Sequence, residues 1–128
     1  MNWTVLVVDD EAMTRDLLRM MLQRANFRVM EAEDGLDALE KVKQAIPDLI
    51  VLDVMMPNMN GYTVCERIRA DEATKHIPVI MLSAKTHLNA VEEGMRAGAN
   101  LYLTKPIGFK TLIQSVHDIL EKDVSTTP

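Results

Sequence analysis

Five apolar runs of strand length recur along the chain: Val5-Leu6-Val7-Val8, Arg28-Val29-Met30, Leu49-Ile50-Val51-Leu52, Val79-Ile80-Met81-Leu82 and Leu101-Tyr102-Leu103. The first, third and fourth are continuous rather than alternating, as strands are when both faces of their sheet are covered. The second and fifth are shorter and more mixed, which places them nearer the edges. Between the runs lie apolar residues at helical spacing: Met13, Leu17, Met20 and Met21; Ala38, Leu39, Val42 and Ile46; Val64 and Ile68; Leu88, Val91 and Met95; Phe109, Leu112, Val116, Ile119 and Leu120. Strand and helix thus alternate strictly. This implies right-handed βαβ crossovers and a mostly parallel sheet with helices on both faces. Asp34 is placed to N-cap the second helix, Asn26 to stop the first and Gly98 to close the fourth. Pro47 and Pro78 each stand just ahead of a strand, where a missing N–H costs little.

Composition supports one α/β domain. A chain of 128 residues that is 48% apolar buries a sufficient core without a disulfide or structural metal. The lone Cys65 cannot build a disulfide framework and reads as a small buried hydrophobe. The net charge of −5 comes without a basic block, which argues against direct nucleic-acid binding. No apolar run approaches the roughly 20 residues that cross a bilayer, and Val5 to Val8 lead into Asp9-Asp10-Glu11 without the features of a signal peptide. The expected setting is therefore soluble, reducing and cytoplasmic. Residues 1–122 read as the domain and 123–128 as a polar tail, where a linker would begin.

The chemistry lies at the residues that end each strand. The first run stops at Asp9-Asp10, the third at Asp53, the fourth at Ser83 and the fifth at Thr104-Lys105. In a parallel sheet these ends share one edge, and ligands of open α/β sheets bind there. Three carboxylates brought together repel one another unless a cation joins them, and hard oxygen ligands suit Mg²⁺. Lys105 and the Ser83 hydroxyl add what is needed to hold a phosphoryl group. Asp53, alone at the end of what should be the central strand, is the best nucleophile, since a carboxylate can form an acyl phosphate. Singly, each of these residues would more often be a turn former, a cap or a solvated side chain. Independent turn-forming roles would rarely put all of them at the same end of four strands.

These residues resemble the receiver domain of two-component response regulators, over nearly the whole chain from Val5 to about Leu120. The pieces that match are Asp9-Asp10, the segment Asp53-Val54-Met55-Met56-Pro57-x-Met59-x-Gly61, Ser83-Ala84 and Lys105-Pro106. Glu33-Asp34-Gly35 with Ala38-Leu39, and Gly94-x-x-Ala97-Gly98-Ala99, match as well. The resemblance implies a doubly wound, flavodoxin-like fold: a five-stranded parallel sheet in the order 2-1-3-4-5 with five helices on both faces. It implies that Asp53 accepts a phosphoryl group from a sensor histidine kinase, a histidine phosphotransfer protein or a small phosphodonor. Asp10 and Asp53 would bind Mg²⁺ with the backbone carbonyl of Met55, and Asp9 would help through water. Ser83 would hydrogen-bond one phosphoryl oxygen and Lys105 would pair with another, with Pro106 following the lysine across a cis bond. Tyr102 falls at the switch aromatic position, turning inward as Ser83 moves and carrying the change to the surface of the fourth helix, fifth strand and fifth helix. That surface would control an output partner or a covalently linked output domain, or would pair two copies on phosphorylation. Such a protein is a signalling switch that catalyses its own phosphorylation and dephosphorylation. It is not an enzyme acting on a separate metabolite.

Other readings fit less well. An aspartate-nucleophile phosphatase places a second acid two residues after the nucleophile, and here that position is Met55. A flavin carrier needs a phosphate loop after the first strand, where Asp9-Asp10-Glu11 would repel one. A receiver that has lost its chemistry and serves only as an interaction module is disfavoured, since every required group is present. His76, His87 and His117 share no metal-ligand spacing, so surface roles are expected. Met20, Met21 and Met95 are expected as core filler and Trp3 as a terminus anchor, while core packing accounts for part of the Met55, Met56 and Met59 cluster and a partner surface could account for the rest.

Overall fold

The computed structural model describes residues 2–85 and 87–125, with side chains through residue 122. Its elements are β1 (Thr4–Val8), α1 (Ala12–Arg24), β2 (Arg28–Ala32), α2 (Gly35–Gln44), β3 (Leu49–Asp53), α3 (Gly61–Ala70), β4 (Val79–Ser83), α4 (Leu88–Ala97), β5 (Leu101–Thr104) and α5 (Phe109–Ser125). All pairings are parallel and the strand order is β2-β1-β3-β4-β5. The expected fold class and order are therefore both present, with β2 and β5 at the edges. Helix α5 extends through residues 123–125, into the stretch expected to be tail, and residues 126–128 lie outside the described residues.

The strand side chains alternate between two buried layers. Leu6, Val8, Ile50, Leu52 and Met81 pack with Ala38 and Val42 of α2, Val64, Cys65 and Ile68 of α3, and Ala97 of α4. Val5, Val7, Leu49, Val51, Ile80 and Leu82 pack with Leu18 and Leu22 of α1 and Leu112, Val116 and Leu120 of α5. Covering both faces explains why these runs are continuous in sequence. Each fully buried aliphatic side chain contributes about 1.5–3 kcal/mol, so the two layers hold the sheet edge rigidly in place.

Two helices turn a different face inward from the one their long apolar residues suggest. In α1 the buried pair is Leu18 and Leu22, at i and i+4, while Met13 is 86% exposed and Leu17 and Met20 are about half exposed. In α4 the inward residues are Ala90, Gly94 and Ala97, and Leu88 and Met95 face solvent. Tyr102 and Met81 already fill the space under α4, so close enough that a Cβ on Gly94 would meet both at 2.9 Å. Only small residues fit between, and the bulky ones lie outside. Met20 and Met95 are thus not core filler, and only Met21 of the three packs at a core margin. Trp3 does anchor its terminus, stacked on Phe27 at 6.3 Å. His117 departs from the expected surface role by packing against both rings.

The connections follow from local chemistry. The Asp34 carboxylate accepts from the Asp37 N–H at 2.8 Å and caps α2. Asn26, at φ 70°, turns the chain out of α1, with the Phe27 N–H donating to the Leu22 carbonyl at 3.0 Å. Gly98 closes α4 at φ 110°. Its carbonyl accepts from Arg69 Nε, and the same guanidinium donates to the carbonyls of Lys75 and Ile77 and to Asn100 Oδ1. One side chain thus ties the end of α4 to the starts of β4 and β5. A Cβ at position 98 would stand 2.7 Å from Arg69 Cγ.

Gly98→Ala is therefore expected to lower stability by about 1–3 kcal/mol, from left-handed strain plus displacement of Arg69. Thermal melting of the variant should show a Tm lower by several degrees, and an unchanged Tm would show that the Arg69 clamp relaxes freely.

Candidate functional site

The carboxyl edge of the sheet gathers the residues that the strand ends mark. β1 delivers Asp9, which is fully buried, and the exposed Asp10; β3 delivers Asp53, 4% exposed; β4 delivers the buried Ser83. Parallel register sets their depth: Val8 lies opposite Leu52 and Asp53 opposite Leu82, so Asp9 and Asp53 emerge at one level. One carboxylate oxygen from each of Asp9, Asp10 and Asp53 lies within 4.8 Å of the others. Hard oxygen donors this close fit a small divalent cation such as Mg²⁺. No histidine joins a metal-ligand cluster among the described residues.

Lys105 enters from the loop after β5, where the Lys105–Pro106 bond is cis and the Lys105 N–H donates to the Ser83 carbonyl at 2.8 Å. Its Nζ lies 2.9 Å from Asp9 Oδ2 and 3.2 Å from Asp53 Oδ1. Burial, then the charge of Asp9, pushes the Asp53 carboxyl up to about 6, against the opposing pull of Lys105 and the Met55 N–H. For Lys105, burial works against the charged form, but the hydrogen bond to Asp9 and the charges of Asp53 and Asp9 outweigh it and raise its pKa. The ammonium stays charged through the neutral range, and Asp53 is mostly ionised there while more basic than a free carboxylate.

The loop after Asp53 folds back over the strand end. The Gly61 N–H donates to the Val54 carbonyl at 2.9 Å, and a Cβ on Gly61 would stand 2.4 Å from the Asp53 carbonyl oxygen, so only glycine fits. Met55 is left exposed beside Asp53, with its N–H 3.4 Å from Asp53 Oδ1. Met56 is buried and Met59 packs against Gly35, which accounts for part of the methionine cluster as core.

Ser83 and Tyr102 are brought close through a third residue rather than by direct contact. The Lys85 N–H donates to Ser83 Oγ at 3.1 Å, and the Lys85 carbonyl accepts from the Tyr102 hydroxyl at 3.0 Å. Two contributors were not marked by the strand-end pattern. Tyr62, 6% exposed, donates its hydroxyl to the Ala90 carbonyl and so joins α3 to α4. Arg15 donates to the Asp9 carbonyl at 2.8 Å. Both lie inside helices, where strand-end position is no guide; the signal for Arg15 would have been a cation within two helical turns of an acid pair.

The raised Asp53 carboxyl has a consequence for stability. A carboxyl whose folded pKa lies above its unfolded value of 3.8 adds no penalty below that value, an increasing one as pH rises from there to about 6, and a constant one above it. Replacing Asp53 by Asn should therefore stabilise the metal-free protein at pH 7.5 relative to pH 4, by about 2–3 kcal/mol. Denaturant unfolding in chelator across that range checks it; a pH-independent difference would mean that Asp53 ionises normally.

Known proteins share both sequence and fold with this chain. Residues 5–117 match the response regulator receiver domain family. The transcriptional regulatory protein ResD of Bacillus subtilis is 42% identical over 123 residues, covering 96% of this chain and 50% of ResD. The chain spans about half the length of ResD and of the transcriptional regulator RpaA of Synechocystis, another curated relative that it matches. The chemotaxis protein CheY4 of Vibrio cholerae superposes with a TM-score of 0.89 at 34% identity, over 94% of this chain and all of that one. The receiver domain of the sensor histidine kinase PA1611 from Pseudomonas aeruginosa, solved with magnesium coordinated in its active-site cleft, gives 0.88 at 27% identity, over 94% and 99%. The family match over residues 5–117 agrees with the strand order and the acid cluster at the sheet edge: this chain belongs to the response regulator receiver domain family.

Proposed function

We propose that the domain is a phosphorylation-driven switch in which Asp53 is the phosphoacceptor. The observation that carries this is a buried carboxylate at the end of the central strand, 3.2 Å from an ammonium and clustered with two further acids. An Asp53 oxygen would form the new P–O bond as the P–N bond of a phosphohistidine breaks. The electron pair then stays on the imidazole nitrogen, which takes up a proton. Asp9, Asp10 and Asp53 with the Met55 carbonyl would hold Mg²⁺, which when bound supplies positive charge to the phosphoryl oxygens. Lys105, drawn off its carboxylates, would pair with one of those oxygens, and Ser83 would donate to another.

The link from site to surface runs through Lys85. If the Ser83 hydroxyl turns to a phosphoryl oxygen, the Lys85 N–H loses its acceptor, and the same residue carries the carbonyl that holds Tyr102. Movement of this loop would shift Tyr102 against Gly94 and reshape the face of α4, β5 and α5, where Leu88 and Met95 are exposed. A sensor histidine kinase or phosphotransfer protein is the proposed donor, and an output partner, a linked output domain or a second copy the proposed reader. Among the described residues no helix is long and apolar enough to cross a membrane, and a cytoplasmic setting is part of the proposal.

Incubation with a small phosphodonor and Mg²⁺ should add one phosphoryl mass to the intact protein, and neither Asp53→Asn nor a chelator-treated sample should gain it. An adduct persisting in the variant would move the acceptor elsewhere. Once phosphorylated, the protein should lose the group at a different rate in Met55→Asn, because the exposed Met55 side chain stands beside Asp53 and flanks the path of the attacking water. Equal decay rates would remove Met55 from that role.

A further inference from the structure

The turn that carries Asp9 and Asp10 is held from three directions. The Asp9 N–H donates to the Ala32 carbonyl of β2 at 3.2 Å, and the Asp9 carboxylate accepts from the Glu11 N–H at 2.9 Å. The third hold is Arg15 of α1, whose Nη1 donates to the Asp9 carbonyl at 2.8 Å. Arg15 does not move freely: its Nε lies 3.4 Å from Glu31 Oε1 on β2, and Glu31 Oε2 lies 3.5 Å from Arg19 Nε. The Arg15 side chain is only 18% exposed, so these partners, more than water, satisfy its guanidinium.

We propose that Arg15 is a positioning residue for the cation-binding turn, held in place by Glu31. The inference rests on the reading of Asp9, Asp10 and Asp53 as a cation site. The carboxylate of Asp10 has no hydrogen-bond partner among the described residues, so where it points depends on the backbone that carries it. Because the peptide unit is planar, fixing the Asp9 carbonyl fixes the plane that leads into Asp10. The forked guanidinium can hold that carbonyl and Glu31 at once, through Nη1 and Nε; a lysine ammonium at the same position would reach one at a time.

Charge alone predicts the opposite effect. An arginine near a cation site repels the cation, so removing it should tighten binding if its role were purely electrostatic. Positioning predicts weaker binding. Titration of the full chain with Mg²⁺ by isothermal calorimetry separates the two. Arg15→Met is expected to weaken Mg²⁺ binding about 10-fold, Arg15→Lys to fall between it and the wild type, and Glu31→Gln to weaken binding by a smaller factor. Unchanged or tighter binding by folded Arg15→Met, with the wild type binding normally, overturns the proposal. Should that variant not fold, Arg15→Lys decides it, and an affinity equal to or above the wild type overturns it. If the wild type itself takes up no Mg²⁺, the cation reading falls and this inference with it, an outcome visible before any variant is made.

Discussion

Asp9 and Asp53 emerge side by side from the middle of the sheet, almost wholly buried, and share one ammonium, that of Lys105. Two buried carboxylates at this separation are tolerable only while positive charge stands between them. The rest of the molecule serves that constraint. The two apolar layers fix the strand ends, parallel register brings them level, and the loops after β3 and β5 fold back so that Gly61 crowds the Asp53 carbonyl and Lys105 reaches in. The cluster is thus a balance between repulsion and compensation. The proposed phosphoryl group or divalent cation would shift that balance, as a switch requires.

The elements that hold the cluster also lead away from it. Ser83 reaches Tyr102 through the backbone of a single residue, Lys85, and Tyr102 lies in a slot that exists because Gly94 has no side chain. Helix α4 is fastened at its first turn by Tyr62 and at its last by Arg69. A change at Ser83 therefore meets an element held at both ends and packed against the sheet only by small residues. On the far side, Arg15 and Glu31 extend the fastening of the Asp9 turn to β2. The site is supported through discrete hydrogen bonds on both flanks, each of which can be removed singly.

Much of this was legible in the sequence. The continuous runs Val5 to Val8, Leu49 to Leu52 and Val79 to Leu82 mark covered strands because burial on both faces removes the polar alternation. Asp9, Asp10, Asp53, Ser83 and Lys105 were readable because strand ends of a parallel sheet share an edge. The strand order came from family resemblance, since alternation alone does not say which strand is central. The inward faces of α1 and α4 were not legible. Met13, Leu17 and Met20 have the spacing of a core stripe as Leu18 and Leu22 do, and nothing local says that Tyr102 fills the space beneath α4. Arg15, Tyr62 and Arg69 bond to main-chain carbonyls brought near by the fold, and such partners leave no mark in residue type or spacing.

The acids at the sheet edge behave, on this reading, as one electrostatic unit open to a cation. Carboxyl NMR titration of Asp53, with and without Mg²⁺, tests this most directly. Without the cation Asp53 should titrate near 6, well above the ordinary 3.8, and with Mg²⁺ its pKa should fall by a unit or more as the metal replaces lost solvation. An Asp53 that titrates at the ordinary carboxylate value and does not respond to Mg²⁺ would contradict the account.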